Sequence, residues 1–98
     1  MIIIVGKSVI KQGKKEDFKA LAEKHMRESR KEKGCLSFNL YEDINNSNTL
    51  IFIEQWLNEE AIKLHNGSKH FTENVPKLSE FREGKPEINL YKLIESKL

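Results

Sequence analysis

The residues best suited to acid–base chemistry lie in one stretch of the chain, EQWLNEEAIKLHNGSKHF, residues 54–71. This stretch contains a carboxylate inside an apolar run, the single tryptophan and two of the three histidines. Burial raises the pKa of a carboxyl group toward neutrality, and imidazole titrates near neutral pH unperturbed. Glu54 and His65 are therefore the candidate catalytic residues, each able to accept a proton.

Both residues also have a purely structural explanation. Glu54 could lie at a solvent-wetted edge of a sheet or pair with a lysine of a neighbouring strand, such as Lys7 or Lys92. His65 falls at the apolar spacing of a predicted helix, where a buried histidine can serve packing alone. The helix follows directly from the strand that carries Glu54 and Trp56, so it should fold back over that strand and bring His65 near Glu54.

The elements that position these residues follow from the hydrophobic periodicity of the chain. The predicted order is strand, helix, strand, strand, helix, strand. The predicted bounds are residues 2–10, 14–33, 35–43, 48–57, 61–84 and 86–93. Asn58 is the expected cap of the second helix. Gly67 and Ser68 interrupt that helix, with Ser68 as the cap where it restarts, and Pro76 should break or restart it again.

This βαββαβ order predicts a ferredoxin-like α+β fold, a four-stranded antiparallel sheet with two helices on one face. Two helices cover only one side of a sheet, whereas several strands here are apolar on both sides. The uncovered side needs a partner, and a symmetric homodimer is the simplest one.

Pairing of the two central strands predicts which side chains share a face. If Asp43 pairs with Asn48 across the turn, Phe38 lies opposite Ile53 on one face. The other face then mixes aromatic and polar groups, with Cys35, Ser37 and Asn39 opposite Trp56, Glu54 and Phe52. The predicted pocket residues beside the two candidate bases are Phe52, Trp56, Phe71, His25, Ser37 and Asn39.

Composition excludes several classes of function. The net charge is +2 and charges of both signs are interspersed, so no nucleic-acid partner is predicted. A single cysteine excludes an intramolecular disulfide and a four-cysteine zinc site. The apolar run in the opening MIIIVGK is too short for a signal peptide or a membrane span. This predicts a cytoplasmic protein with no membrane partner.

No metal site is predicted either, because His65 and His70 are five positions apart and do not share a helix face. The exception would be a meeting of His25 with His65 in space. The chain also has no glycine-rich phosphate loop and no nucleophile elbow, so nucleotide chemistry is unsupported.

The segment EKGCLSFNLYEDINNSNTLIFIEQWLNEEAIKLHNGSKHF, residues 32–71, resembles the antibiotic biosynthesis monooxygenase (ABM) domain family. The matching pieces are Gly34-Cys35, the Glu-x-Trp of Glu54 and Trp56, Ala61, His65, and His70-Phe71. The resemblance implies a dimeric α/β barrel and a single ABM-like domain, residues 1–98. The family includes quinol monooxygenases, anthrone oxygenases, heme-degrading enzymes and an isomerase that processes an autoinducer.

The resemblance further implies a function. The first strand, IIIVGKSVI, lacks the asparagine of heme-degrading members, and the only tryptophan belongs to the Glu-x-Trp element of the third strand. The chain therefore resembles more closely the branch of quinol monooxygenases and related isomerases. We therefore expect a cofactor-independent monooxygenase that oxidises a small quinol-like or polyphenolic aromatic with O2, with no metal or flavin. Two alternatives stay open, an isomerase that enolises a small hydroxyketone and a non-catalytic dimer that binds small ligands.

Overall fold

The computed structural model describes residues 1–96, which form one antiparallel sheet with three helices. The elements are β1 (Ile2–Val9), α1 (Lys15–Ser29), β2 (Cys35–Asp43), β3 (Asn46–Trp56), α2 (Glu59–Asn66), α3 (Lys69–Glu80) and β4 (Glu87–Lys92). The strand order is β2-β3-β1-β4, with every neighbouring pair antiparallel. The predicted ferredoxin-like α+β class is confirmed.

The second predicted helix is two helices, α2 and α3, separated at Gly67 and Ser68. The Asn58 side chain accepts a hydrogen bond from the Ala61 N–H at 2.9 Å and caps α2. The Ser68 hydroxyl accepts one from the Phe71 N–H at 3.3 Å and caps α3. Both predicted caps are confirmed, because each side chain satisfies a backbone donor that the first helical turn leaves unpaired.

Pro76 lies inside α3, so the prediction that it breaks the helix is wrong. A proline in a helix interior removes one backbone hydrogen bond and strains the preceding turn. Here Pro76 is exposed, so water can reach the freed carbonyl group. The buried residues Asn74 and Leu78, on either side of it, hold the helix on the core.

Helix α1 ends at Ser29, four residues before the predicted end. The Ser29 hydroxyl donates to the His25 carbonyl at 2.7 Å, and the following N–H groups of Lys31 and Glu32 bond carbonyls only three residues back. Because these hydrogen bonds span three residues and not four, the chain after Ser29 forms tight turns in place of the last predicted helical turn. Glu32 therefore lies on a turn between α1 and β2.

Strands β2 and β3 pair in a different register from the predicted one. Cys35 lies opposite Trp56 as expected, but a β-bulge between Cys35 and Ser37 shifts the pairing by one, so that Phe38 lies opposite Glu54. A one-residue shift moves every following side chain to the other face. The turn is also shorter than predicted, since Asp43 pairs with Asn46.

The shift changes the composition of the two faces of the sheet. The face toward the helices carries much of the core, including Ile4, Phe38, Leu50, Phe52 and Trp56. Ser37 and Asn39 lie opposite Gln55 and Ile53 on the other face. That face, called the open face below, also carries apolar side chains that stay partly exposed in the single chain, namely Ile3, Val5, Ile51 and Ile53.

None of the helices in residues 1–96 is long and apolar enough to cross a membrane.

Gly34 is required by the close approach of α2 to the start of β2. A Cβ atom at Gly34 would lie 2.3 Å from the Cβ of Ala61, and the Leu57 N–H donates to the Gly34 carbonyl at 2.9 Å. Gly34→Ala is expected to lower the free energy of unfolding by about 2–3 kcal/mol, because α2 must move away. Urea unfolding would measure this loss.

A matched control for this prediction is Gly67→Ala, where the added Cβ would be 3.6 Å from its nearest neighbour, the Lys63 carbonyl oxygen. Adding Ala61→Gly to the Gly34→Ala chain should restore most of the lost stability. Equal effects of the Gly34 and Gly67 substitutions would contradict the packing explanation.

Candidate functional site

A cavity of about 110 Å³ lies between the helix-facing side of the sheet and the helices. Its lining residues are Ile4, Gly6, Ser8, His25, Phe38, Phe52, Glu54, His65, Phe71, Val75, Leu78, Arg82, Pro86 and Ile88. An apolar cavity of about 150 Å³ binds benzene, so this volume is on the scale of one aromatic ring. An adjoining hollow of about 230 Å³ shares Glu54 and His65 and is bordered by the exposed Leu90.

Glu54 points from β3 into this cavity and not toward the open face. Its Oε1 accepts a hydrogen bond from the indole N–H of Trp56 at 2.9 Å. Burial raises the pKa of Glu54 to about 7, with the Trp56 hydrogen bond opposing the shift and the charge of Glu32 adding to it. Both the acid and the carboxylate are therefore populated near neutral pH.

His65 is held between two carboxyl groups. Its Nδ1 is 2.5 Å from Oε2 of Glu32, and its Nε2 is 4.0 Å from Oε1 of Glu54. The imidazole also stacks on Trp56 with 4.4 Å between ring centroids. Burial lowers the pKa of His65, although the hydrogen bond and charge of Glu32 oppose the shift. With Nδ1–H donated to Glu32, the neutral ring directs its Nε2 lone pair toward Glu54 and the cavity.

Glu32 is a residue of the site that the sequence did not predict. Its Oε2 lies 3.1 Å from Nε2 of His70 as well as next to His65, and the Ser29 hydroxyl is 3.2 Å from the same His70 nitrogen. Glu32 falls within the predicted helix 14–33, and the early end of α1 at Ser29 places it instead on a turn beside the histidines. No local signal could have found it, because its partner His65 is 33 positions away.

His25 lines the cavity in its neutral form. The Asn74 amide donates to its Nδ1 at 3.3 Å, and its ring centroid lies 5.6 Å from that of His65. Burial lowers the pKa of His25 to about 4, with the charges of His65 and His70 adding to the shift. The expected meeting of His25 with His65 thus occurs as a packing contact.

Three residues could approach a metal ion together. One ligand atom each of Glu32, His65 and His70 lies within 4.8 Å of the others. The five-residue spacing would separate the two histidines on one continuous helix. His65 lies on α2 and His70 on α3, so the two imidazoles can meet. In this arrangement the same atoms are hydrogen-bonded to one another. The absence of a metal stays a prediction.

The structure brings together most of the residues proposed for the site. Those that line the cavity are Glu54, His65, His25, Phe52 and Phe71. Trp56 is fully buried behind the cavity, where it contacts both Glu54 and His65.

Ser37 and Asn39 were wrongly assigned to the pocket. The bulge in β2 places both on the open face, and Phe38 takes their place at the cavity.

An antiparallel sheet covered by helices on one face, with a buried glutamate and a buried histidine lining a cavity beside aromatic side chains, defines a small α+β protein. The chain belongs to the antibiotic biosynthesis monooxygenase family, whose family model matches residues 1–77.

The chain is also similar to individual proteins. The chain is 34% identical over 77 residues to YcnE of Bacillus subtilis, whose name designates a proposed monooxygenase, and the match covers 79% of this chain and 81% of YcnE. It is 36% identical over 95 residues to the uncharacterized protein sll1783 of Synechocystis, a match that covers 97% of this chain but only 65% of sll1783. The crystal structure of a conserved protein from Methanosarcina mazei Go1 superposes with a TM-score of 0.91 at 34% identity, covering 93% of this chain and 90% of that one.

Proposed function

We propose that the protein is a cofactor-independent monooxygenase that oxidises a small quinol-like aromatic with O2. The observation that carries the proposal is the chain of contacts from Glu32 through His65 to Glu54, which directs a neutral imidazole nitrogen into an aromatic cavity. Membership of the family and similarity to YcnE support the oxygenase class.

The first step is removal of a proton from a ring hydroxyl group. His65 Nε2 accepts this proton, while the Glu32 carboxylate holds Nδ1–H and stabilises the imidazolium that forms. The resulting phenolate is electron-rich enough to transfer an electron to O2 directly. The phenylalanine rings around it exclude water, which protects the reactive intermediate.

The second step uses the protonated form of Glu54. The superoxide formed by the electron transfer bonds to a ring carbon next to the deprotonated oxygen, and the resulting peroxide takes back the proton held by the His65 imidazolium. The O–O bond then breaks: the outer oxygen leaves as water with a proton from Glu54, and the ring C–H proton passes to the Glu54 carboxylate. Tautomerisation leaves the inner oxygen as a hydroxyl group on the quinone. The substrate supplies all the electrons that reduce O2, because a ring C–H becomes C–OH and the quinol becomes a quinone. A pKa of about 7 suits this donor role near neutral pH.

Oxygen consumption by purified, metal-free protein with a panel of single-ring hydroquinones tests the proposal. We expect uptake of one O2 per quinol, with one labelled oxygen in the product when 18O2 is used. A rate no higher than that without protein would overturn the proposal. Exchange of protons between a small hydroxyketone and solvent, without oxygen uptake, would support the isomerase. A Tm that is raised by a small ligand, with neither reaction observed, would support the ligand-binding dimer.

We also propose that the protein is a homodimer joined through the open face. The support is the row of partly exposed apolar side chains there, which lie on the central strands β1 and β3. Ile53→Lys is expected to convert a dimer into a monomer, because a lysine charge cannot be buried in this interface without a partner. Light scattering after gel filtration would measure the mass.

The matched control is Leu64→Lys on α2, where the side chain is 64% exposed on the opposite side of the sheet. This variant should stay dimeric. A monomeric wild type, or loss of the dimer in the control alone, would contradict the proposed interface.

A further inference from the structure

One end of the cavity carries a guanidinium group that the proposed mechanism does not use. Arg82 lines the cavity together with Ser8, and its Nε donates to the Ser8 hydroxyl oxygen at 2.7 Å. Its Cζ lies 5.7 Å from the ring centroid of Phe18. Within residues 1–96, no carboxylate forms an ion pair with this guanidinium.

The backbone around Arg82 is held in place by the end of β1. Arg82 forms an isolated β-bridge with Ile10. On either side, the Lys11 N–H donates to the Phe81 carbonyl and the Glu83 N–H donates to the Val9 carbonyl, both at 2.8 Å. The guanidinium is thus positioned before any ligand arrives, which lowers the entropy cost of binding.

The hydrogen-bond donors that remain available at this end of the cavity suit an anionic ligand. Burial lowers the pKa of Arg82, which reflects a charge that is partly removed from water without a counterion. The Nε atom is occupied by Ser8, so the Nη groups remain as donors. The Ser8 oxygen accepts from Arg82, so its hydroxyl hydrogen can also be donated. Two such donors suit the two oxygens of a carboxylate.

The acid–base residues lie at the other end of the same cavity. On the sheet, Glu54 is opposite Ile4, whereas Ser8 is opposite Leu50, four residues further along β3. Four residues of strand span about 13 Å. Gly6 lies on β1 between the two ends and has no side chain to fill the space there. The space therefore suits one ring, with a hydroxyl group at His65 and an anionic group at Arg82.

We propose that Arg82 and Ser8 bind a carboxylate of the substrate, and that the substrate is a single-ring hydroquinone carrying that carboxylate. The hydroquinone part rests on the proposed function, whereas the carboxylate part rests on the geometry of the cavity alone. A ring of this kind lies with its carboxylate toward β1 and its hydroxyl group toward the Glu32–His65 pair.

The test compares two unreactive probes, 4-hydroxybenzoate and the neutral 4-hydroxybenzamide, which have nearly the same shape. Isothermal titration calorimetry of the whole protein gives both dissociation constants. The acid is expected to bind at least about tenfold more tightly than the amide, because only the carboxylate forms charge-assisted hydrogen bonds with Arg82. Equal affinities, or no binding of either probe, would overturn the proposal without any substitution.

Substitutions assign the preference to Arg82. Arg82→Met should weaken binding of the acid about tenfold or more and leave the amide unchanged, whereas Arg82→Lys should keep part of the preference. Lys77→Met, an exposed position on α3, is the control for loss of one positive charge. If Arg82→Met does not fold, Ser8→Ala is expected to reduce the preference by itself. A full preference in folded Arg82→Met would overturn the proposal.

The outcomes for binding and for oxygen uptake are separate. A preference for the acid without oxygen uptake from any hydroquinone would refute the oxygenase and keep the carboxylate subsite. The opposite result has two parts: hydroquinone is oxidised but 2,5-dihydroxybenzoate is oxidised no faster, and the two probes bind equally. This result would refute the carboxylate subsite and keep the oxygenase.

Discussion

His65→Ala is expected to lower kcat for oxygen uptake by about 10²–10⁴-fold, the usual contribution of a positioned general base. The imidazole is the neutral group whose Nε2 faces the cavity, and Glu32 fixes its orientation. KM should change much less, because the ring is held mainly by aromatic and apolar side chains. Steady-state oxygen-electrode kinetics measure both constants.

Two further variants separate chemistry from folding in this prediction. Leu64→Ala changes the neighbouring exposed residue of α2 and should keep the wild-type rate. Glu32→Gln keeps the shape beside Nδ1 but removes the charge that stabilises the imidazolium, so kcat should fall about tenfold to 100-fold with KM nearly unchanged. A folded His65→Ala protein with the full rate would rule out His65 as the base.

Glu54→Gln is expected to stabilise the protein at pH 8 while it lowers catalytic activity. Burial raises the pKa of Glu54 to about 7 from an unfolded value of 4.5. The folded state therefore keeps a proton that the unfolded state has lost between these pH values, so stability falls as pH rises from 4.5 through 7. Glutamine does not ionise, and its amide oxygen can still accept the Trp56 N–H.

The expected gain in unfolding free energy at pH 8 is about 3 kcal/mol, and it should vanish below pH 4.5. Urea unfolding of both proteins at pH 4 and pH 8 measures the difference. Glu59→Gln, at an exposed position of α2, is the matched control and should show no such pH dependence. A gain that is the same at both pH values would contradict a buried, ionisable Glu54.

The effect of Glu54→Gln on catalysis follows from the same pKa. In the wild type, kcat should fall as pH rises above about 7, because the protonated donor is lost. In the variant, kcat should be about 100-fold lower and this descending limb should disappear. Measurement of kcat across pH 5 to 9, corrected for autoxidation, would show this difference. If kcat of the variant still falls above pH 7 as in the wild type, another group is responsible for the fall.

Local chemistry predicted much of this fold correctly. The strand and helix order depends on hydrophobic periods within a few residues, and the caps Asn58 and Ser68 depend on single side chains that bond to adjacent backbone groups. The same local contrast, a carboxylate in an apolar strand and a histidine in an apolar helix position, selected Glu54 and His65, which the structure places in one cavity.

Local patterns failed where one residue or one turn changed the direction of a side chain. The bulge between Cys35 and Ser37 exchanged the faces of β2, so Ser37 and Asn39 left the pocket and Phe38 entered it. A strand alternates with period two, and its sequence does not show where an extra residue is inserted.

The sequence by itself determined the class of fold and the two residues most suited to acid–base chemistry. Only the tertiary structure decided which side chains from distant elements meet. Glu32 meets His65 across 33 positions, and Arg82 meets Ser8 across 74. The physical reason is that periodicity reports which face of an element is buried, whereas a hydrogen bond between distant elements depends on how turns and register place those faces against each other.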